Sequence, residues 1–215
     1  EIRLSLVGSE MCIRDRLCGN DIYARSGGER RKVLSRNEIR IVGLHNVENY
    51  MAAIAATEGL VSDETVRKIA KEFPGVRHRI EEVCERGGVK YYNSSIDTTP
   101  SRTIAALNSF DRPPVVICGG SDKNLPLESL VDILMKKAKY IVLTGTTGVK
   151  LKVLLSAAGC DKFAYEGDFK RAVKLAASRA EKGDAVLLSP AAASFDSFRN
   201  FERRGDFFCN IVKNL

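Results

Sequence analysis

The sequence predicts an α/β protein whose larger part is a Rossmann-like, mostly parallel sheet with helices on both faces. Three observations carry that reading. The runs at 114–118, 140–144 and 185–189 are short, apolar and free of charge, the pattern of strands buried on both faces. Amphipathic stretches with helical periodicity separate them. The composition of the 215 residues, 44% hydrophobic and 28% charged, suits one sizeable core or two small ones.

The elements follow in order. Residues 1–16, EIRLSLVGSEMCIRDR, fit neither a strand nor an amphipathic helix and resemble translated adaptor or vector sequence; they are set aside, and the chain is expected to be a fragment. LCGNDIYA and VLSRNEIRIVG, around the turn-rich RSGGERRK, predict the tail of a mixed sheet. Residues 46–58 place Val47, Tyr50, Met51, Ile54 and Ala55 on one helical stripe. Ser62 offers an N-cap to a second helix with Asp63 and Glu64 in its first turn and Val66, Ile69, Ala70 and Phe73 on its apolar face. Pro74-Gly75 stops that helix, and a domain boundary is placed there, giving units 17–74 and 75–215.

Beyond it, Ile80–Arg86 and Val89–Asn93 flank Gly87-Gly88 as a hairpin. A helix over 99–109 precedes the 114–118 strand and its Gly119-Gly120. The helix from Pro126 turns Leu127, Leu130, Val131, Leu134, Met135 and Ala138 inward. The strand at 140–144 leads to a helix near 149–158. Asp168 caps the next helix, with Phe169, Ala172, Val173, Ala176, Ala177 and Ala180 inward and Gly183 at its end. After the 185–189 strand, Phe198, Phe201, Phe208, Val212 and Leu215 trace a last helix starting near Ser194.

Thirty-four Lys plus Arg against twenty-seven Asp plus Glu give a net +7, but the basic residues are dispersed. That favours small anionic ligands over nucleic acid, which wants a clustered patch with stacking aromatics. No apolar run approaches the roughly 18 residues of a membrane span, so no membrane insertion is expected. Six cysteines without CxxC or zinc-like spacing predict reduced, mostly buried thiols and a cytoplasmic setting.

In a doubly wound sheet, ligands gather at the carboxyl ends of the strands. Four polar segments fall there: NSSIDTTP (93–100), GGSDK (119–123), TGTTGVK (144–150) and SPAAASFD (189–196). Gly119-Gly120 permits close backbone approach to a ligand, and Lys123 offers a point charge; a plain turn with a solvated lysine fits equally well. The small residues 190–194 leave room for a ligand or for close helix–sheet packing, and a helix beginning near Ser194 would aim N–H groups at an anion. Segment 144–150 lacks the Gly-Lys-Ser/Thr of a P-loop, and no GxGxxG, GxSxG or HExxH occurs. His45, Asn46 and Asn49, and His78 with Arg79, are further candidates, each alone more often a cap or a surface group than a ligand contact.

Taken together, HNVENYMAA from His45, FPGVRHRIE from Phe73, YNSSIDTTPSRTIAAL from Tyr92, GGSDK from Gly119 and LLSPAAASFDSFRNFERRGDFF from Leu187 resemble the Mur ligases, over residues 45–215. The last segment is most similar to the branch that adds D-glutamate. The resemblance implies a cytoplasmic ATP- and Mg2+-dependent ligase of peptidoglycan synthesis that joins D-glutamate to UDP-N-acetylmuramoyl-L-alanine through an acyl phosphate. It implies that 17–74 ends a truncated central ATPase-type domain and that 75–215 binds the incoming amino acid. It places Thr98, Lys123, Ser194, Phe195 (by its backbone) and Phe201 at D-glutamate, Arg79 at the ATP phosphates, and Asn46 and Asn49 near adenine. No metal ligand falls in the chain; the family's P-loop, UDP-binding domain and magnesium ligands belong upstream, so the fragment is expected to be inactive alone. The family pattern Asn-Asp-Ser-Lys-Ala-Thr-Asn reads Asn93-Ser94-Ser95-Ile96-Asp97-Thr98-Thr99 here, leaving Ser94 and Ile96 for the aspartate and lysine, with Arg102 as the substitute catalytic cation. Two other readings stay open: a non-catalytic amino-acid-binding module, and a sibling ligase for another amino acid.

Overall fold

The computed structural model describes residues 15–26 and 29–215, which fall into two compact units, one ending at Pro74 and one starting at Gly75. In the first, β1 (Asp15–Cys18), β2 (Asp21–Ser26) and β3 (Glu29–Ser35) form an antiparallel meander, followed by a 3-10 turn (Arg36–Glu38), α1 (Leu44–Ala56) and α2 (Asp63–Glu72). Strand residues Ile22, Ala24, Val33 and Leu34 bury with Leu17, Val47, Ile54 and Ala70. Ser62 caps α2 by accepting the Thr65 N–H at 3.2 Å.

Several expectations change here. The small sheet is antiparallel, not mixed. β2 and β3 extend into the segment read as a turn, whose Gly27-Gly28 lie outside the described residues, and Ile39–Gly43 is not strand. Asp15 and Arg16 pair with Ala24 and Tyr23, so the segment set aside reaches into β1; residues 1–14 lie outside the described residues. On α2, Ile69 and Phe73 are exposed, because the helix meets the sheet through Ala70 and Val66 while Arg67 donates to the Val33 and Lys32 carbonyls.

The second unit contains β4 (Glu81–Arg86), β5 (Val89–Asn93), α3 (Pro100–Leu107), β6 (Val115–Gly119), α4 (Glu128–Lys137), β7 (Tyr140–Thr144), α5 (Gly145–Ala157), β8 (Phe163–Tyr165), α6 (Phe169–Ser178), β9 (Ala185–Leu188) and α7 (Phe201–Lys213). Its sheet runs β4-β5-β9-β6-β7-β8. β4 pairs antiparallel at one edge and every other pairing is parallel. The chain steps outward from β5 to β8 and returns to β9 between β5 and β6. Since parallel crossovers keep one hand, α3, α4 and α5 fall on one face and α6, with α7, on the other.

The two cores bear this out residue by residue. Val116, Cys118, Ile141, Leu143 and Leu187 face the α3–α5 side with Leu107, Leu130, Leu134, Leu151 and Leu155. Their alternates Val115, Ile117, Val142, Val186 and Leu188 face Phe169, Val173, Phe208 and Val212. Three details differ from the sequence reading. α5 starts at Gly145, four residues early, since the threonines following the strand tolerate a helical first turn. β8, only three residues long, carries no periodic signal and has no counterpart in the sequence pattern. α7 starts at Phe201, capped by the Asn200 side chain on the Arg203 N–H at 2.9 Å, so Ser194 does not begin a helix. Of the described cysteines only Cys118 is buried; Cys84, Cys160 and Cys209 are partly exposed and Cys18 is exposed, correcting the expectation of mostly buried thiols.

Candidate functional site

The polar segments after β5, β6, β7 and β9 are tied to one another at the carboxyl edge of the sheet. The Gly119 N–H donates to Pro190 O at 2.7 Å and the Ser121 N–H to Ala193 O at 2.9 Å, joining the β6 and β9 loops. The Thr147 N–H and Thr146 hydroxyl both donate to Gly120 O, joining β6 to the start of α5. Gly120 and Gly145 are both at positive φ and so close that a Cβ on Gly145 would stand 2.7 Å from Gly120 Cα. The glycines therefore act between loops, where the sequence reading had Gly119-Gly120 approaching a ligand.

The β5 loop joins through side chains. Ser189 Oγ donates to Asp97 Oδ2 at 2.8 Å and stands 2.9 Å from Thr103 Oγ1. Ser94 Oγ accepts the Ile80 N–H at 3.1 Å and bonds the Asp97 carboxyl. A buried carboxylate thus stands three residues downstream of Ser94, at Asp97. Burial pushes the Asp97 carboxyl above the ordinary range, partly offset by the Ser94 and Ser189 hydrogen bonds and by the charges of Arg102 and Arg79.

Arg79 is exposed and sits between two non-glycine residues in the left-handed region, His78 (φ 62) and Ile80 (φ 46). His78 is buried: its Nδ1 lies 2.9 Å from Asn93 Nδ2, and its ring packs edge-on against Phe201. Such strain persists where surrounding contacts over-determine the backbone. Arg102, exposed on α3, donates to Ile96 O at 3.3 Å.

Lys123 is exposed with no side-chain partner among the described residues, whereas Lys150 is committed to Asp122 and to Asn124 Oδ1. The hydrogen bond from Lys150, above all, holds the Asp122 carboxyl below its ordinary range. Ser194 is 2% exposed and its hydroxyl has no partner among the described residues; Thr98 is half-buried; the Phe195 ring is 72% exposed. Phe201 packs its ring against His78, and its carbonyl accepts from Ser95 Oγ at 2.8 Å. Asn46 and Asn49 belong to the first unit, where Asn49 Nδ2 donates to Asn46 Oδ1 at 3.3 Å and Asn46 Nδ2 to Val42 O at 2.7 Å.

Sequence reasoning missed Arg204. Only 2% exposed, it donates from Nε to Ser95 Oγ (3.0 Å), from Nη1 to Ala193 O (3.0 Å), and from Nη2 to Ser95 O (3.0 Å) and Ala192 O (3.1 Å). Burial lowers its pKa to about 10, against the opposing charges of Asp196 and Asp97. Its signal in the sequence was its place within LLSPAAASFDSFRNFERRGDFF, the segment that most specifically carries the resemblance.

Residues 78–192, more than half of the chain, match the family described as "Mur ligase, glutamate ligase domain". The chain belongs to the Mur ligase family. Curated relatives agree: the UDP-N-acetylmuramoylalanine–D-glutamate ligase of Ruminiclostridium cellulolyticum is 44% identical over 191 residues, 86% of this chain and 41% of the relative. That of Clostridium perfringens is 44% identical over 205 residues, 92% of this chain and 45% of the relative. The chain thus spans less than half the length of the relatives it matches. Among solved structures, a UDP-N-acetylmuramate–alanine ligase from Thermotoga maritima aligns with a TM-score of 0.63 at 16% identity over 91% of this chain and 44% of its own. A folylpolyglutamate synthase/dihydrofolate synthase from Yersinia pestis aligns with a TM-score of 0.62 at 15% identity over 92% of this chain and 44% of its own. These two show that the Mur ligase fold is shared.

Among the described residues no three His, Cys, Asp or Glu side chains are grouped to hold a metal ion. No described helix is long and apolar enough to cross a membrane.

Proposed function

We propose that this chain is the amino-acid-binding part of a cytoplasmic ATP-dependent ligase that joins D-glutamate to UDP-N-acetylmuramoyl-L-alanine in peptidoglycan synthesis. In that reaction ATP phosphorylates the muramoyl-alanine carboxylate, the D-glutamate amine attacks the acyl phosphate, and phosphate leaves. Residues 17–74 are read as the end of the central domain and 75–215 as the carboxy-terminal domain.

The observation that carries the reading is the unpaired Lys123 on a loop that is hydrogen-bonded to the loop of Ser194. D-glutamate presents two carboxylates, and an ammonium, hydroxyls and backbone N–H groups at one edge supply charge-assisted partners for them. Lys123, Thr98, Ser194, the Phe195 backbone and Phe201 hold the amino acid and place its amine at the reacting carbonyl, a contribution of proximity. Arg79 and Arg102, exposed and flanking Asp97, meet the phosphates; Asn46 and Asn49 face adenine.

Calorimetric titration of the chain tests this, with D-glutamate compared against L-glutamate, L-alanine, diaminopimelate and D-alanyl-D-alanine. D-glutamate should bind best. A charge-assisted hydrogen bond contributes about 1.5–3 kcal/mol, so Lys123→Ala should weaken it by roughly 10- to 150-fold, while Lys150→Ala should matter little. Preference for another amino acid would assign a sibling ligase. D-glutamate affinity unchanged in Lys123→Ala would remove that lysine from the site.

A further inference from the structure

Arg204 carries a charge into the interior without a carboxylate within ion-pairing distance among the described residues. A buried cation is costly unless something nearby needs it. All four of its hydrogen bonds end on Ser95, Ala192 and Ala193, in the two loops that also carry Thr98 and Ser194.

A second observation concerns the β9 loop itself. Ala193 faces Ser121 in an isolated antiparallel bridge. The backbone N–H groups of Ala191, Ala192, Ser194, Phe195 and Asp196 donate to no other described protein atom. Ala191 to Ser194 are nevertheless buried, and buried N–H groups are almost always paired. Ala191 is in the left-handed region (φ 58), a conformation rare for a residue with a Cβ. The peptide linking Ala193 to Ser194 is held by two donors. Its carbonyl accepts from the Ser121 N–H at 2.9 Å and from Arg204 Nη1 at 3.0 Å. Hydrogen bonds in a chain strengthen one another, so a carbonyl held by a guanidinium makes the N–H of the same peptide a better donor.

We propose that Arg204 is a positioning residue of the amino-acid site: through the Ala192 and Ala193 carbonyls it fixes the β9 loop and polarises the Ser194 N–H toward a ligand carboxylate. It acts from behind the loop and touches no ligand. The choice of ligand rests on the function proposed above; the effect on the Ser194 peptide does not.

Arg204→Lys and Arg204→Met, made in the whole chain, test it. D-glutamate affinity is measured by calorimetry, the Ser194 amide by 1H–15N spectroscopy without ligand, and folding by circular dichroism. The Met variant should weaken D-glutamate at least tenfold and the Lys variant by an intermediate factor, both with an upfield shift of the Ser194 amide proton. A folded Met variant binding within twofold of the parent, or an unmoved Ser194 amide, overturns the proposal. If the Met variant does not fold, Lys decides: it keeps the charge but cannot reach all three residues, so at least a threefold loss is expected and parental affinity overturns. If the parent chain itself ignores D-glutamate, the functional reading fails while the amide shift still decides the role of Arg204.

Discussion

Gly145→Ala is the sharpest test of how the four loops are packed. Gly145 has φ +62, and a Cβ there would lie 2.7 Å from Gly120 Cα and 2.9 Å from Gly120 N. Those are backbone atoms of the β6 loop, which cannot rotate away as a side chain would. Ordinary van der Waals contact begins about 0.7 Å farther out, so the two loops must part by roughly that distance. Left-handed backbone costs a Cβ-bearing residue about 1–2 kcal/mol, and overpacking adds about 1–3 kcal/mol. The expected loss is therefore about 2–5 kcal/mol, a large fraction of the stability of a domain this size. Gly159 supplies the control, with φ +75 and nothing within 4 Å of the place a methyl group would take. Gly159→Ala should cost only the backbone portion, about 1–2 kcal/mol. Urea unfolding of both variants measures the difference, and D-glutamate titration of the folded Gly145→Ala protein should show weakened binding as the β6 loop and the start of α5 separate. Equal losses for the two variants would refute the close packing of Gly120 and Gly145.

Three further outcomes are expected. Phe208→Ala, at a fully buried position between α7 and the sheet, should cost about 3–5 kcal/mol in urea unfolding. For Asp97 the folded-state pKa lies above the ordinary 3.8, so the native state binds more protons than the unfolded state between the two values. Its contribution is then greatest below pH 3.8 and is lost as pH rises through the folded pKa; Asp97→Asn should flatten that fall, seen as urea midpoints across roughly pH 3–7. Native alkylation followed by mass spectrometry should modify exposed Cys18 readily and leave Cys118 untouched, because burial raises its thiol pKa and its Sγ donates to Ser189 O at 3.1 Å.

The sheet was legible because its signal is redundant. Val115 to Cys118 and Ile141 to Leu143 are buried on both faces, so every residue had to be apolar, and the helices between them had only one face to bury. The Ser62 and Asp168 caps were legible because each satisfies a specific N–H, those of Thr65 and Arg171. Where packing rather than periodicity decides, the reading failed. Ile69 looks like a core residue on a helical wheel, yet α2 touches its sheet through Ala70. β8 is three residues of partly exposed chain, held by pairing to β7 that no local pattern announces.

The start of the last helix shows how a wrong local assignment bears on the site. A helix beginning near Ser194 would have aimed its first N–H groups at an anion by its dipole alone. The chain instead crosses from β9 to α7 through a segment with a left-handed Ala191 and a single turn in which the Ser197 and Phe198 N–H groups donate to Ser194 O. A single turn orders only part of the loop, and its unpaired N–H groups would favour water over a buried geometry. Arg204 and the Ser121 N–H supply that order from outside, by holding the carbonyls on the opposite side of the same peptides. The order that a helix would have provided by its own hydrogen bonds is thus provided here in part by a guanidinium ten residues downstream of Ser194, which is why no pattern within SPAAASFD could have disclosed it.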